Sequence, residues 1–213
     1  MFAKFLSYFL SPPLCYGCSV ELTVYSLCER CIQTVQGVAP KDFFYTSTKS
    51  MTVYAFGAYQ GLLRKLILKK RVQDVAVWKY LAHAVYHHAP IDFASYDLII
   101  PVPLHTYRYA VRGYNQMELF VQALQGYAPI SSFISVRRIK ATQFQHGLSV
   151  EKRIENLKDA FYIDEKYALS LQGKKILLID DICTTGATLQ SLAKACQKYK
   201  PAKIDAFVIA RGI

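Results

Sequence analysis

Asp180 and Asp181 stand side by side at the end of an apolar run, and the next few residues include Thr184, Thr185, Gly186, Ala187 and Thr188. Carboxylates followed by hydroxyls, small residues and glycine suit a ligand of two parts. Backbone N–H groups and threonine hydroxyls can wrap a phosphate, and glycine allows close approach or a positive φ. Two carboxylates beside that cradle would repel the phosphate unless they face sugar hydroxyls or a divalent cation. A ribose 5-phosphate carrying a metal-bound group satisfies both halves. The stretch lacks the Gly-Lys-Ser/Thr ending of a nucleoside-triphosphate loop and the G-x-G-x-x-G of a dinucleotide fold, which excludes both. The competing assignment is plain helix capping by Asp181 or a threonine.

These residues need a frame. Ile176 to Ile179 is a continuous apolar run without alternation, the pattern of a parallel strand buried on both faces. After Gly186, Leu189, Leu192, Ala193 and Cys196 recur at helical spacing, and Pro201 follows the end of that pattern. Ile204 to Ala210 is a second buried run, completing a β-α-β unit. Ligands of such units bind at the carboxyl ends of the strands, where a helix N-terminus favours an anion.

The string Ile-Leu-Leu-Ile-Asp-Asp-Ile-Cys-Thr-Thr-Gly-Ala-Thr resembles the phosphoribosyl-pyrophosphate (PRPP) motif of type I phosphoribosyltransferases. The resemblance implies that Asp180 and Asp181 bind the ribose hydroxyls, that Thr184 to Thr188 hold the 5-phosphate, and that Mg²⁺ accompanies PRPP.

Four cysteines form two pairs, Cys15-Tyr-Gly-Cys18 and Cys28-Glu-Arg-Cys31, nine residues apart. Two C-x-x-C knuckles can bring four thiolates to the tetrahedral geometry of structural Zn²⁺, with Leu22 to Tyr25 as a hairpin between them. Disulfides are the competing assignment. Cys183 and Cys196, set within the apparent enzyme core, argue instead for a reducing compartment. Lys41 to Lys49 reads as the linker out of this module. The division is therefore a zinc-ribbon module with a short N-terminal helix over 1–45 and a phosphoribosyltransferase-like domain over 46–213.

The chain has 213 residues, 53% of them hydrophobic, which is ample for a sizeable core. Its 26 Lys and Arg against 15 acids leave a net charge of +11 and favour polyanionic partners. The first 13 residues hold a short apolar segment with a single lysine, broken by Pro12 and Pro13. They have no cleavage site and fall short of the ~20 apolar residues that span a bilayer. Arg64, Lys65, Lys69, Lys70 and Arg71 crowd one predicted helix, densely enough for a phosphate-backbone contact. His83 and His87 are four apart on the next helix and read as ordinary helix histidines.

A second constellation starts at Leu98 to Ile100, another buried run that ends at Pro101 and Pro103. Arg108 and Arg112 are expected in the following loop, ahead of a helix from Asn115, where cations would stabilise a pyrophosphate leaving group. Pro-Val-Pro, Arg112-Gly-Tyr-Asn-Gln116, Thr142-x-x-Gln145-x-x-Leu148-Ser149, Arg153, Asn156 and Ala160-Phe161, with the four cysteines, resemble the ComF family of competence-associated phosphoribosyltransferase-like proteins. That resemblance implies a mainly parallel α/β sheet flanked by helices and a cytoplasmic location; the apolar N-terminal segment offers peripheral contact at the inner membrane as the alternative. It also implies a role with single-stranded DNA during natural transformation, alongside a DNA-uptake motor or competence helicase. In related enzymes the region from Arg137 to Asn156 closes over PRPP, which makes Gln145 and Arg153 its functional candidates. Two classes stay open: an enzyme transferring phosphoribosyl to a nucleobase or amine, and a binding module without turnover.

Overall fold

The computed structural model describes residues 12–24, 26–69, 75–132, 135–139 and 160–212, without the side chains of Lys69, Thr106, Arg108 and Ala168. Gln145, Arg153, Lys70, Arg71 and residues 1–11 lie outside the described residues.

In chain order the helices are α1 (Glu29–Gln33), α2 (Gly61–Lys69), α3 (Ala76–His88), α4 (Thr106–Arg112), α5 (Gln116–Leu124), α6 (Glu165–Ala168) and α7 (Ala187–Gln197). The strands are β1 (Lys41–Phe44), β2 (Ser50–Ala58), β3 (Leu98–Pro101), β4 (Ser131–Ser132), β5 (Val136–Arg138), β6 (Phe161–Ile163), β7 (Lys175–Cys183) and β8 (Lys203–Arg211). Six strands make one sheet in the order β1-β2-β8-β7-β3-β4, and β5 pairs with β6 apart from it. Only β1 runs antiparallel in the large sheet. This is the mainly parallel α/β sheet that the uninterrupted apolar runs predict.

The central strands are buried on both faces, so each face carries its own core. On one side Leu177, Ile179, Phe207 and Ile209 pack with Trp78, Leu81, Met117 and Phe120 from α3 and α5. On the other, Ile176, Leu178, Ala206 and Val208 pack with Leu189, Leu192 and Cys196 of α7 and with Phe161 and Ile163 of β6. Strand order reverses between β3 and β7: from β3 the chain crosses outward to β4, and from β7 it crosses the other way to β8. A crevice opens at the carboxyl ends of strands at such a switch point.

Near the amino ends of the strands a buried carboxylate ties several segments together. Asp205 accepts hydrogen bonds from Tyr96 Oη at 2.8 Å and from the Thr52 backbone N–H at 3.2 Å, and pairs with Lys203 Nζ at 2.6 Å. Burial and that carboxylate hold the Tyr96 phenol well above its ordinary pKa.

Three expectations need correction. The presumed linker Lys41 to Lys49 contains β1, which pairs from Lys41↔Val53 to Phe44↔Ser50, because the aromatic pair Phe43-Phe44 favours a strand and a short, mostly exposed segment can serve a sheet edge. The hairpin over Leu22 to Tyr25 is not formed among the described residues, where the module's pairing is a single antiparallel bridge, Leu14↔Glu21. Arg108 and Arg112 sit on helix α4 rather than in a loop, since the His105 side chain caps it by accepting from the Tyr107 N–H.

Candidate functional site

The crevice is built from two chain turns. After β3, the Val102 carbonyl accepts a hydrogen bond from Asn115 Nδ2 at 3.2 Å, while Asn115 Oδ1 caps α5 by accepting from the Met117 N–H at 3.1 Å. One buried side chain thus fixes both the loop and the start of the helix. Gln116, the first residue of α5, then donates from Nε2 to Asp181 Oδ2 at 3.0 Å, and its Oε1 accepts from Arg112 Nη1. Arg112, Gln116 and Asp181 therefore form one relay across the switch point, joining residues far apart in the chain.

Asp180 and Asp181 do not follow β7 but lie within its last turn of ladder, which runs to Cys183↔Arg211. Adjacent residues of a strand face opposite ways. Asp181 is buried and takes the Gln116 contact, while Asp180 is partly exposed and its Oδ1 accepts the Asp181 N–H at 2.8 Å.

Beyond β7 the chain turns at Gly186, whose φ of 75° lies in the left-handed region, and enters α7 without a side-chain cap at that residue. The Thr185 hydroxyl accepts from the Ala187 N–H at 3.4 Å. Thr184 is exposed, Thr185 and Thr188 are half-buried, and Gly186 and Ala187 are buried. A Cβ on Gly186 would stand 2.5 Å from the Phe43 ring, so β1 roofs this turn and only glycine fits beneath it. Gln190 Nε2 donates to the Phe44 carbonyl at 2.9 Å and fastens the same roof to α7.

The sequence reading passed over Arg211. It ends β8 at the same level as Cys183, is buried, and has one terminal guanidinium nitrogen without a hydrogen-bond partner. Burial and the Asp180 carboxylate push the Cys183 thiol up to about 11, against the opposing pull of Arg211, the Gly186 N–H and Lys41. The signal was there: Arg211 closes an apolar run at the carboxyl end of a strand, as the two acids do on its neighbour.

In the N-terminal module the four Sγ atoms of Cys15, Cys18, Cys28 and Cys31 all lie within 4.8 Å of one another, and Cys18 and Cys28 are 3.6 Å apart. All are free thiols. Tetrahedral Zn–S bonds of ~2.3 Å place sulfurs about 3.8 Å apart, so the donor set fits a structural zinc. Burial opposes ionisation of Cys15, yet N–H groups of Cys28, Cys18 and Gly17 bring its pKa down to about 6. Burial and the neighbouring thiols drive Cys31 far up. Such a set can ionise fully only around a cation. The second knuckle is wound into α1, and Cys15, Leu27 and Cys31 share the core of Trp78 and Leu81.

Fold and site together define a phosphoribosyltransferase-type α/β protein with an attached four-cysteine module. A phosphoribosyl transferase domain model matches residues 119–213. Competence protein F of Haemophilus influenzae is 30% identical over 93% of this chain and 90% of its own length. The DNA utilization protein YhgH of Escherichia coli K12 is 34% identical over 55% of this chain and 50% of its own, and competence protein ComFC of Bacillus subtilis is 31% identical over 54% and 45%. The chain belongs to the ComF family of competence proteins.

Proposed function

We propose that this protein binds PRPP, or a related ribose phosphate, with Mg²⁺ in the crevice between β3 and β7, and acts on single-stranded DNA in natural transformation. The observation that carries the first half is the Arg112–Gln116–Asp181 relay, which joins a cation to an acid on the strand that leads into α7, a helix with no side-chain cap at Gly186. Asp180 and Asp181 hold the ribose hydroxyls, and the N–H groups and hydroxyls from Thr184 to Thr188 hold the 5-phosphate. Arg112, with Arg108 on the same helix, faces the pyrophosphate, where negative charge gathers if it departs. Gln145 and Arg153 remain candidates for closing over the ligand. Cys15, Cys18, Cys28 and Cys31 hold a structural zinc that fixes the N-terminal module. The second half draws support from the competence and DNA utilization names of the relatives and from the +11 charge.

Arg211 favours a second reading, a transferase without a DNA role. Its unpartnered nitrogen suits an oxygen of an acceptor base or amine. In that reaction the acceptor lone pair forms a bond to C1 of the ribose while the C1–O bond breaks, pyrophosphate leaves with the electron pair, and the acceptor's N–H proton passes to solvent. Calorimetric titration with PRPP and Mg²⁺ tests the site. Asp180→Asn with Asp181→Asn should weaken PRPP by well over tenfold and leave inorganic phosphate nearly unchanged. Equal loss of both ligands, or no PRPP binding by the unaltered protein, overturns the assignment. Pyrophosphate release on adding nucleobases would select the transferase.

A further inference from the structure

We propose that a ladder of aromatic rings across the seam between the cysteine module and the core is a stacking platform for the bases of single-stranded DNA. This site lies on α3 and its neighbours, apart from the crevice, and it rests on the DNA-handling reading above. Helical spacing puts Tyr80, His83 and His87 on one face of α3. Tyr127, just beyond α5, stacks on Tyr86 with centroids 5.5 Å apart and planes at 25°, and meets His83 edge-on at 5.4 Å. His87 touches Tyr86 at 5.1 Å and His83 at 4.6 Å. The ladder then crosses into the cysteine module. His83 Nδ1 bonds Ser26 Oγ at 2.8 Å, the Ser26 carbonyl accepts from the Tyr16 N–H, and the Tyr16 ring lies 4.8 Å from Tyr80.

Two further observations select nucleic acid as the occupant. Tyr86 and Tyr127 are 37% and 41% exposed, and His87 and His88 are exposed beside them, so aromatic rings and their polar groups reach the surface together. Its charge is also complementary to a phosphate chain: no Asp or Glu occurs between Asp74 and Asp92, while Lys79 is exposed on α3 and Arg64 and Lys65 are exposed on α2. Burial, with His87 and His88 close by, lowers the His83 pKa, so that ring is mainly neutral at pH 7 and stacks as an uncharged base does. Every base has a π-face, so such a platform holds a strand with little regard to sequence.

Fluorescence anisotropy with a labelled oligothymidine strand, and with an abasic strand of the same length, tests this over a range of salt. Tyr86→Ala with Tyr127→Ala should weaken the base-bearing strand roughly 5- to 150-fold, the span of 1–3 kcal/mol per stacked base, and leave the abasic strand and the salt slope unchanged. Tyr86→Phe with Tyr127→Phe keeps the rings and should retain the affinity. If the alanine pair binds the thymidine strand as the unaltered protein does, or loses both strands equally, the platform is overturned and the DNA reading survives. If the unaltered protein binds neither strand at low ionic strength, both fall.

Discussion

Gly186 shows how much the site asks of single residues. It combines a left-handed φ with a ring pressed where its Cβ would be, so Gly186→Ala meets two separate penalties. The backbone term alone is roughly 1–2 kcal/mol. We expect Gly186→Ala to lower the melting temperature and weaken phosphate binding, and Phe43→Ala in the same chain to recover only the part due to the clash. Full recovery in a double-mutant cycle would show that φ carries no strain. Cysteine chemistry divides equally sharply. Cys183 is held at about 11 and Cys196 is pushed up by burial to about 12, so at pH 8 about one Cys183 in a thousand is a thiolate. With zinc bound, a thiol reagent should label none of the 6 cysteines, after zinc removal the four of the module, and in denaturant all 6. Rapid labelling of Cys183 in the native protein would contradict its burial. The sign of the pH effect follows: the folded state keeps protons that the unfolded chain releases near 9, so these two thiols weaken the fold as pH rises from about 9 to about 11 for Cys183 and about 12 for Cys196.

At the scale of elements, side chains pin the sheet at two places. Near the amino ends, Asp205→Ala would strand the Tyr96 hydroxyl, the Thr52 N–H and the Lys203 ammonium. Removing one partner of a buried charged pair costs about 3–5 kcal/mol. Because half of Lys203 is exposed, we expect the lower part of that range in denaturant unfolding, with PRPP affinity unchanged. A shift in affinity as large as the shift in stability would mean that the network reaches the crevice. The second is the edge hairpin against α7: Tyr45 Oη donates to Gln197 Oε1 at 3.1 Å, at the end of that helix, and Gln190 holds the Phe44 carbonyl. Tyr45→Phe should cost about 1 kcal/mol by loss of a single hydrogen bond. Its effect on phosphate binding reports how firmly β1 holds the roof over Gly186.

The whole molecule joins two kinds of stability. The sheet carries a core on each face, whereas the cysteine module contributes few large apolar side chains and relies on its thiols and on burial against α2 and α3. A preformed four-thiol site binds zinc with a free energy that is also folding free energy. Protein purified without added metal should carry one zinc per chain. Chelation should lower its melting temperature and abolish any strand affinity that depends on Tyr16, while PRPP binding in the crevice persists. Parallel loss of PRPP binding would show that the module also supports the crevice. Among the described residues no helix is long and apolar enough to cross a membrane.

The sequence by itself determined the buried strands, the helix after Gly186 and the four-thiol set, because each is written in local periodicity or spacing: Ile176 to Ile179, Leu189 to Cys196, and two C-x-x-C pairs. Tertiary structure alone decided what these elements meet. Gln116 closes the Arg112-Gly-Tyr-Asn-Gln116 string with no partner legible there, until the β3–β7 crossing brings it to Asp181, 65 positions away. Phe43 reads as part of a linker until β1 adds to the sheet edge and its ring closes over Gly186. Arg211 becomes a buried cation only because β8 lies between β2 and β7 and ends level with Cys183. The physical reason is common to all three: a strand's neighbours are chosen by sheet order and register, and these depend on how the whole chain crosses over rather than on any local pattern.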